Sequence, residues 1–461
     1  MEICSMFIEM TKLLNTLSLS LDYVENEIIK AARNHGKRVA VLTNLMAKEA
    51  GYSQDVLYAL TQSAVLHDCA LSEYLKDEFS RENKSLDETN MFEHCVAGEK
   101  MMTKLPFYHL VRGTVLFHHE RADGKGALGM TDDMVPLYAQ LIHVADVVDV
   151  RFSLNTMNHN KFKAIIAWIN NERGKTISGK SADLFIKAID YESLMSITGE
   201  NCRKIVRTMI PELSDEIPVE ALREIASFFA KITDYKSNFT WRHSIGIAEK
   251  AERMGQYYNY DKETCDKLYI AGALHDIGKL LISNDILEKP GKLSNTEYKE
   301  IQNHAMGTWK LLSSVGGLEE ITSWASLHHE KLDGSGYPFG YKADQLGKNE
   351  RLLACLDIYQ ALVEQRPYKS GLSHSEAMTI LYKMGASGQL DYDILNDINI
   401  HFLPQNETPV MVSIPEITPE YHGETWQCPV CGYVYQGNLP NDFICPKCEQ
   451  PGSIFERVHS N

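Results

Sequence analysis

Two short sequences, HDIGKL at His275–Leu280 and HHEKLDGSGYP at His328–Pro338, decide the fold of this chain. They belong to one stretch that offers five histidines and two aspartates: His243, His275, Asp276, His304, His328, His329 and Asp357. Imidazole nitrogen combined with carboxylate oxygen suits iron, manganese or zinc. Because seven donors are too many for one tetrahedral ion, the pattern predicts two neighbouring metals, which is an arrangement that can promote phosphoester hydrolysis.

This pattern resembles the HD-GYP family, a branch of the HD phosphohydrolases that cleave cyclic dinucleotides. The resemblance covers about residues 220 to 400 and includes HDIGK, HHE..DG.GYP, Asp357 and RPYK (Arg366–Lys369), in the order found in the family. It implies a metal-dependent phosphodiesterase, with cyclic di-GMP as the first candidate substrate. The spacing between ligands, about 24 to 32 residues, fits antiparallel helices that project donors into a bundle core.

The resemblance also implies roles for individual residues. Asp276 would bridge two divalent metals, iron or manganese, and would act in catalysis together with Lys279. The remaining ligands would divide between the two ions, with His243 and Asp357 on one, and His304, His328 and His329 on the other. The substrate would be contacted by Lys279, Tyr337, Arg366 and Lys369.

Two positions depart from the family pattern. Phe239 stands where some members carry a glutamate that is tied to a third metal, so two metals are expected here. Gln360 stands three residues after Asp357, where many members have an aspartate. The second departure concerns rate and metal preference more than the type of reaction.

The motifs occur twice. His35 to His67 spans 32 positions, as does His243 to His275, and His94 to His118 spans 24, as does His304 to His328. The first copy therefore offers a second possible site for two metals: His35, His67, Asp68, His94, His118, His119 and Asp146. Its substrate-contacting groups are missing, because Leu71 replaces Lys279 and Ala127-Leu128 replaces Tyr337-Pro338. Two interpretations remain open, a metal site without this activity, or an altered copy kept for packing and dimer contacts.

The C-terminal tail carries a second kind of metal motif. Cys428, Cys431, Cys445 and Cys448 form two C-x2-C pairs separated by thirteen residues, a spacing that places four thiolates around one tetrahedral ion. The segments CGYVY and CPKC resemble those of the small, β-rich rubredoxin-like domain of rubrerythrins, which holds one iron and passes single electrons. A structural zinc site with the same ligands is the alternative.

These motifs predict a mainly α chain of two tandem HD-type helical bundles and a small β-rich domain. The expected ranges are 1–210 for the altered copy, 211–405 for the HD-GYP copy, 406–423 for a linker and 424–461 for the rubredoxin-like domain. Four prolines interrupt the linker region (Pro404, Pro409, Pro415 and Pro419), and prolines disfavour helix there.

Composition limits the partners. The net charge of −16 argues against binding to nucleic-acid polymers or anionic membranes, although a small nucleotide can still bind through metals and a few cations. No apolar run is long enough to span a bilayer and no signal peptide is evident, so a cytoplasmic location is expected.

Three functions are compatible with the sequence. The first is a cyclic-dinucleotide phosphodiesterase regulated by the rubredoxin-like iron, with a homodimer and a redox partner as possible associations. The second is a diiron oxygenase or oxidase that receives electrons from the tail. The third is a non-catalytic nucleotide or redox sensor. Lys279 and the Gly336–Pro338 loop favour the first, because they address phosphate.

Overall fold

The computed structural model describes residues 5–28, 31–71, 88–105, 108–209, 215–236, 243–287, 289, 291–365, 370–404, 410, 425–427, 434–436 and 456–458. The chain divides into two compact units, Met1–Pro409 and Val410–Asn461. The predicted boundary between the two HD copies, at residues 210 and 211, falls inside the first unit and stays a prediction.

The first unit is helical, as the sequence predicts. Its first part contains α1 Met10–Ile28, α2 His35–Glu49, α3 Gln54–Val65, α4 Glu88–Met102, α5 Leu137–Phe152, α6 His159–Glu172, α7 Gly179–Ala188, α8 Tyr191–Ser196 and α9 Asn201–Met209. Its second part contains α10 Val219–Lys236, α11 His243–Tyr257, α12 Lys262–Leu274, α13 Asn284–Leu287, α14 Asn295–Leu312, α15 Glu319–Ser326, α16 Lys348–Val363, α17 His374–Ala386 and α18 Tyr392–His401. Short 3-10 turns occur at Tyr108–Val111, Ile277–Leu281 and Ala343–Gln345.

Local sequence sets where the helices of the second copy begin. Ser294 and Glu297 form a reciprocal capping box at the start of α14, and Ser373 and Glu376 do the same for α17. The Asp261 side chain accepts a hydrogen bond from the Thr264 amide at the start of α12. Such caps satisfy amides that a helix start leaves without partners.

A short antiparallel sheet joins the N-terminus to the segment between the two copies. Strand β1 (Ser5–Ile8) pairs with β2 (Asp215–Pro218), with Ser5 opposite Pro218 and Ile8 opposite Asp215. This sheet was not predicted from the sequence, in which no strand pattern stands out before residue 400. These strands are four residues long and their partners are about 210 positions apart, so local periodicity could not reveal them.

The second unit contains three short strands, β3 (Thr425–Gln427), β4 (Val434–Gln436) and β5 (Glu456–Val458). They form one antiparallel sheet in the order β4-β3-β5. Across the described residues of both units, no helix is long and apolar enough to cross a bilayer.

Candidate metal centre

The helices of the second copy bring the seven predicted ligands to one buried point. His243 is the first residue of α11, and His275 and Asp276 directly follow α12. His304 lies on α14, His328 and His329 follow α15, and Asp357 lies on α16. Because each ligand sits on or beside a packed helix, the site is held by rigid elements.

Two carboxylates lie at the centre of the cluster. The Asp276 Oδ1 atom is 3.3 Å from His304 Nε2 and 4.0 Å from His328 Nε2, and its Oδ2 atom is 3.2 Å from His275 Nε2. The Asp357 carboxylate lies 3.3 Å from His243 Nε2 and 3.6 Å from His329 Nδ1. Asp276 therefore faces both groups of histidines, which is the position that a bridging carboxylate needs.

Hydrogen bonds on the far side of the ring orient four of the five imidazoles. The Nδ1 atoms of three histidines lie 2.8, 2.6 and 2.6 Å from backbone carbonyls, for His275 to Gly272, His304 to Ile301 and His328 to Ala325. In this tautomer Nδ1 carries the proton and donates it to the carbonyl. The Nε2 lone pair then points to the centre, as a metal ligand requires.

Glu364 orients the fourth ring and was missed in the sequence. Its Oε2 atom is 3.1 Å from His243 Nδ1, and its side chain is buried. Gln360, at the position where a carboxylate was expected, instead accepts a hydrogen bond from Lys250 Nζ at 2.7 Å. The carboxylate that bonds His243 therefore comes from Glu364, four residues after Gln360 and one helical turn further along. An acidic residue at that spacing was the signal available in the sequence.

Burial favours the neutral, ligating form of His328 and His329, whereas in His243 the hydrogen bonds to Asp357 and Glu364 outweigh burial and raise the pKa to about 9. Burial lowers the pKa of His329 to about 3 and holds the pKa of His328 well below its ordinary value. Burial alone would raise the pKa of Asp276, but the charges of His275 and Lys279 outweigh it and keep that pKa well below the usual range. Neutral imidazoles and ionised carboxylates are the forms that bind metal.

The residues present fit two divalent metals. His243, His275 and Asp276 offer ligand atoms within 4.8 Å of one another, as do His304, His328 and His329. The buried His275 Nε2 atom has no hydrogen-bond partner. A buried polar atom without a partner is costly, and a cation at this point would satisfy it.

Side chains predicted to contact substrate lie beside the cluster. Lys279 is buried, and its Nζ atom is 2.5 Å from Asp276 Oδ2. The Tyr337 ring lies 4.7 Å from the His329 ring, across the mouth of the site. The loop that carries Tyr337 is anchored by buried Glu330, which accepts hydrogen bonds from the Phe339, Gly340 and Tyr341 amides. Arg366 and Lys369 lie outside the described residues.

The first copy assembles the equivalent cluster. Asp68 Oδ1 is 3.5 Å from both His94 Nε2 and His118 Nε2, and Asp68 Oδ2 is 3.5 Å from His67 Nε2. Asp146 lies 3.3 Å from His35 Nε2 and 3.9 Å from His119 Nδ1. Buried ring nitrogens without hydrogen-bond partners again face the centre: His35 Nε2, His67 Nε2 and His118 Nε2.

Three features distinguish the first cluster. Asp149 bonds His35 Nδ1 at 2.7 Å and is itself held by buried Arg38. Cys95 places its Sγ atom 3.6 Å from His94 Nε2, whereas Ala305 occupies that position in the second copy. Buried Leu71 stands where the second copy has Lys279, so no cation reaches the cluster from this turn.

The four cysteines of the tail, Cys428, Cys431, Cys445 and Cys448, lie outside the described residues. Their assignment to one iron or zinc ion therefore stays a prediction.

Comparison with protein families gives three matches. HD domain models match residues 33–151 and 220–394, and a model described as the rubredoxin-like domain of rubrerythrin matches residues 426–456. The two HD matches confirm the tandem arrangement predicted from the repeated motifs. The third match identifies the tail as a rubredoxin-like domain.

Similar proteins of assigned activity are cyclic-dinucleotide phosphodiesterases. The 3′3′-cGAMP-specific phosphodiesterase 1 of Vibrio cholerae is 29% identical over 381 residues, which is 79% of this chain and 86% of that protein. A cyclic di-GMP phosphodiesterase of Pseudomonas aeruginosa is 31% identical over 169 residues, 36% of this chain and 41% of that protein. The crystal structure of a Vibrio cholerae cyclic GMP-AMP-specific phosphodiesterase superposes with a TM-score of 0.58 at 21% identity, covering 88% of this chain and 100% of that one. At this identity the superposition shows the shared fold.

Proposed function

Because this chain is a phosphohydrolase of the HD-GYP type with a second HD domain and a rubredoxin-like domain, we propose that its second copy hydrolyses a cyclic dinucleotide. The observation that carries the proposal is the buried cluster of seven ligands with Lys279 and Tyr337 beside it. Cyclic di-GMP and 3′3′-cGAMP are the two substrates to compare, because the relatives act on one or the other. Cyclic di-GMP, the first candidate substrate implied by the family resemblance, stays a prediction.

Two divalent metals, iron or manganese, would be held by the seven ligands and would supply Lewis-acid activation of water and charge neutralisation at the phosphate. Asp276 would bind both ions, because its two oxygens face different histidines. Glu364 and the carbonyls of Gly272, Ile301 and Ala325 hold the rings in the ligating tautomer. The chain thus preorganises the site before substrate arrives.

The remaining side chains are proposed to contact the phosphates and the nucleotide. Lys279 is positioned to leave Asp276 for a phosphoryl oxygen, where its charge would stabilise the negative charge that develops during hydrolysis. Tyr337 is positioned to contact the nucleotide, since its ring lies at the mouth of the site beside His329. Arg366 and Lys369 are proposed to bind the second phosphate or a base, on the resemblance alone.

The first copy is proposed to bind metal without hydrolysing this substrate. Its ligands converge and leave buried ring nitrogens without partners, which favours a bound cation. Leu71 replaces the lysine that would address phosphate. Cys428, Cys431, Cys445 and Cys448 of the tail are proposed to hold one iron, which would supply one-electron chemistry. Redox regulation of the second copy by this site is proposed on that basis.

The test is anaerobic purification with metal analysis, followed by incubation with each cyclic dinucleotide and separation of the products. We expect about five metals per chain, two in each copy and one in the tail. We expect hydrolysis by the native chain and none by the His275→Ala, Asp276→Ala variant. Oxygen consumption without hydrolysis of either substrate would instead favour the oxygenase alternative.

Redox regulation is tested on the same sample. The air-oxidised enzyme is expected to be inactive and to recover when one-electron reductant is added. Equal turnover by oxidised and reduced enzyme would refute regulation by the tail and leave the hydrolytic function untouched.

A further inference from the structure

A cavity of about 430 Å³ lies where α1, α9 and α14 meet, and none of its lining residues belongs to either set of metal ligands. Its volume is within the range of small-molecule sites, about 300–1,000 Å³. Its walls come from the N-terminal helix and from both HD copies: Thr11, Lys12, Asn15, Thr16, Leu19, Lys37, Arg203, Val206, Arg207, Leu311 and Ser314. The cavity therefore sits at the junction of the two copies.

The charge of this cavity is opposite to that of the chain. Four cations line it, Lys12, Lys37, Arg203 and Arg207, and none of the described lining residues is acidic, although the chain carries a net charge of −16. Hydroxyl and amide groups add further hydrogen-bonding capacity, and three apolar side chains form the rest of the wall. Cations with hydroxyl donors are the groups that bind phosphate.

Acidic side chains behind the wall neutralise only part of this charge. Lys12 pairs with Glu9 at 2.8 Å, Lys37 with Asp22 at 2.9 Å, and Arg203 with Glu200 at 2.9 Å. Arg207, on the exposed side, has no carboxylate within ion-pair distance among the described residues. Arg203 also lies 3.7 Å from Asp22 and donates a hydrogen bond to Asn34 Oδ1. Among the described residues, the four cations of the wall therefore face three carboxylates, those of Glu9, Asp22 and Glu200.

We propose that this cavity binds a phosphate monoester of nucleoside-monophosphate size. The phosphate would lie among Lys12, Arg203 and Arg207, and the apolar wall of Leu19, Val206 and Leu311 would receive the base or ribose. The site is distinct from the proposed catalytic cluster and does not depend on it.

The cavity is bordered by helices that also carry metal ligands of each copy. Lys37 lies two residues after His35 on α2, and Leu311 lies on α14, the helix that carries His304. The Thr16 and Ser314 hydroxyls, 3.4 Å apart, link α1 to the end of α14. Occupancy would therefore tie together helices that supply ligands in each copy.

Calorimetric titration with GMP, AMP and inorganic phosphate, with sulfate as an ionic control, tests the proposal. We expect saturable binding of GMP or AMP, tighter than that of phosphate, and at least about tenfold weaker binding by the Lys12→Gln, Arg207→Gln variant. Both side chains are well exposed, so this variant should fold. Lys204→Gln, an exposed change on the same helix, is the matched control and should bind like the native chain.

Two further variants keep the test decisive. Asn15→Asp adds a negative charge to the wall without removing a cation and should also weaken binding. The His275→Ala, Asp276→Ala variant should retain binding, because the cavity lies outside the catalytic cluster. Unchanged affinity in Lys12→Gln, Arg207→Gln, equal responses to nucleotide and sulfate, or loss of binding with the catalytic cluster would each overturn the proposal.

Discussion

Glu364 shows how one residue outside the ligand set can control a metal centre. Its carboxylate lies 3.1 Å from His243 Nδ1, and both side chains are buried. We expect Glu364→Gln to weaken metal affinity by about 10–100-fold, because an amide neither fixes the ligating tautomer as firmly nor increases the basicity of the ring. Metal titration followed by mass spectrometric metal analysis measures the change, and excess Mn²⁺ should restore hydrolysis.

Glu249→Gln is the matched control, since Glu249 is an exposed residue on the same helix as His243. Native metal affinity in Glu364→Gln would show that the ring is held by packing alone.

The ligand positions could be chosen from sequence because adjacent His-Asp and His-His pairs at repeated spacings are rare and chemically specific. The structure brings all seven of each copy together. Glu364 was missed because the family pattern points to the position three residues after Asp357, whereas the carboxylate that bonds His243 stands one helical turn further along. Cys95 and Arg38 were missed because a buried cysteine or arginine in a helix has no distinctive spacing.

At the scale of elements, both copies have a glycine where the turn after the His-Asp pair packs against the next ligand-bearing helix. The glycine lies on the turn in the second copy and on the helix in the first. A Cβ added to Gly278 would lie 1.9 Å from the His304 carbonyl oxygen, so the turn after His275 touches the backbone of α14. Thr308 on α14 bonds the Gly278 amide and the His275 carbonyl. In the first copy the turn carries Ala70 and the facing helix carries Gly98, whose added Cβ would lie 3.8 Å from the Ala70 Cβ.

We therefore expect Gly278→Ala to push α14 away and displace His304. The cost should be about 1–3 kcal/mol of stability, and a shift of about 1 Å at a ligand should reduce kcat about 10²-fold. Urea unfolding and steady-state hydrolysis measure the two effects. Gly179→Ala, where nothing lies within 4 Å of an added Cβ, should leave both unchanged; a native kcat for Gly278→Ala would contradict the close packing.

The loop that carries Tyr337 gives a second test at this scale. Buried Glu330 accepts hydrogen bonds from three backbone amides of this loop. In the first copy, Glu120 accepts hydrogen bonds from two, those of Leu128 and Met130. Glu330→Ala should lower stability by about 1–3 kcal/mol, because three partly buried amides lose a charged acceptor, and should raise KM. Glu120→Ala should lower stability without changing KM. An increase in KM in both variants would mean that the first-copy loop also contacts substrate.

For the whole molecule, the sequence predicted the order of the parts better than their junctions. Each repeated motif sits within one bundle and could be recognised locally. The β1–β2 pairing and the contact of Glu9 with the Gly316 amide join residues that are more than 200 positions apart. Contacts of this kind depend on how the two copies pack, which a single sequence does not reveal.

The different chemistry proposed for the two copies leads to a prediction for the whole chain. Asp276→Ala should remove the second-copy metals and reduce hydrolysis about 10³-fold or more, because two-metal activation is worth several kcal/mol. Asp68→Ala should remove the first-copy metals, since Asp68 faces three histidines, and should leave chemistry in the second copy within a few-fold of native. Metal analysis and product formation, measured on the same preparations, separate the two effects. If Asp68→Ala abolished turnover while the second-copy metals remained bound, the first copy would have to take part in hydrolysis. The replacement of lysine by Leu71 would then not indicate that the first site is unable to hydrolyse the substrate.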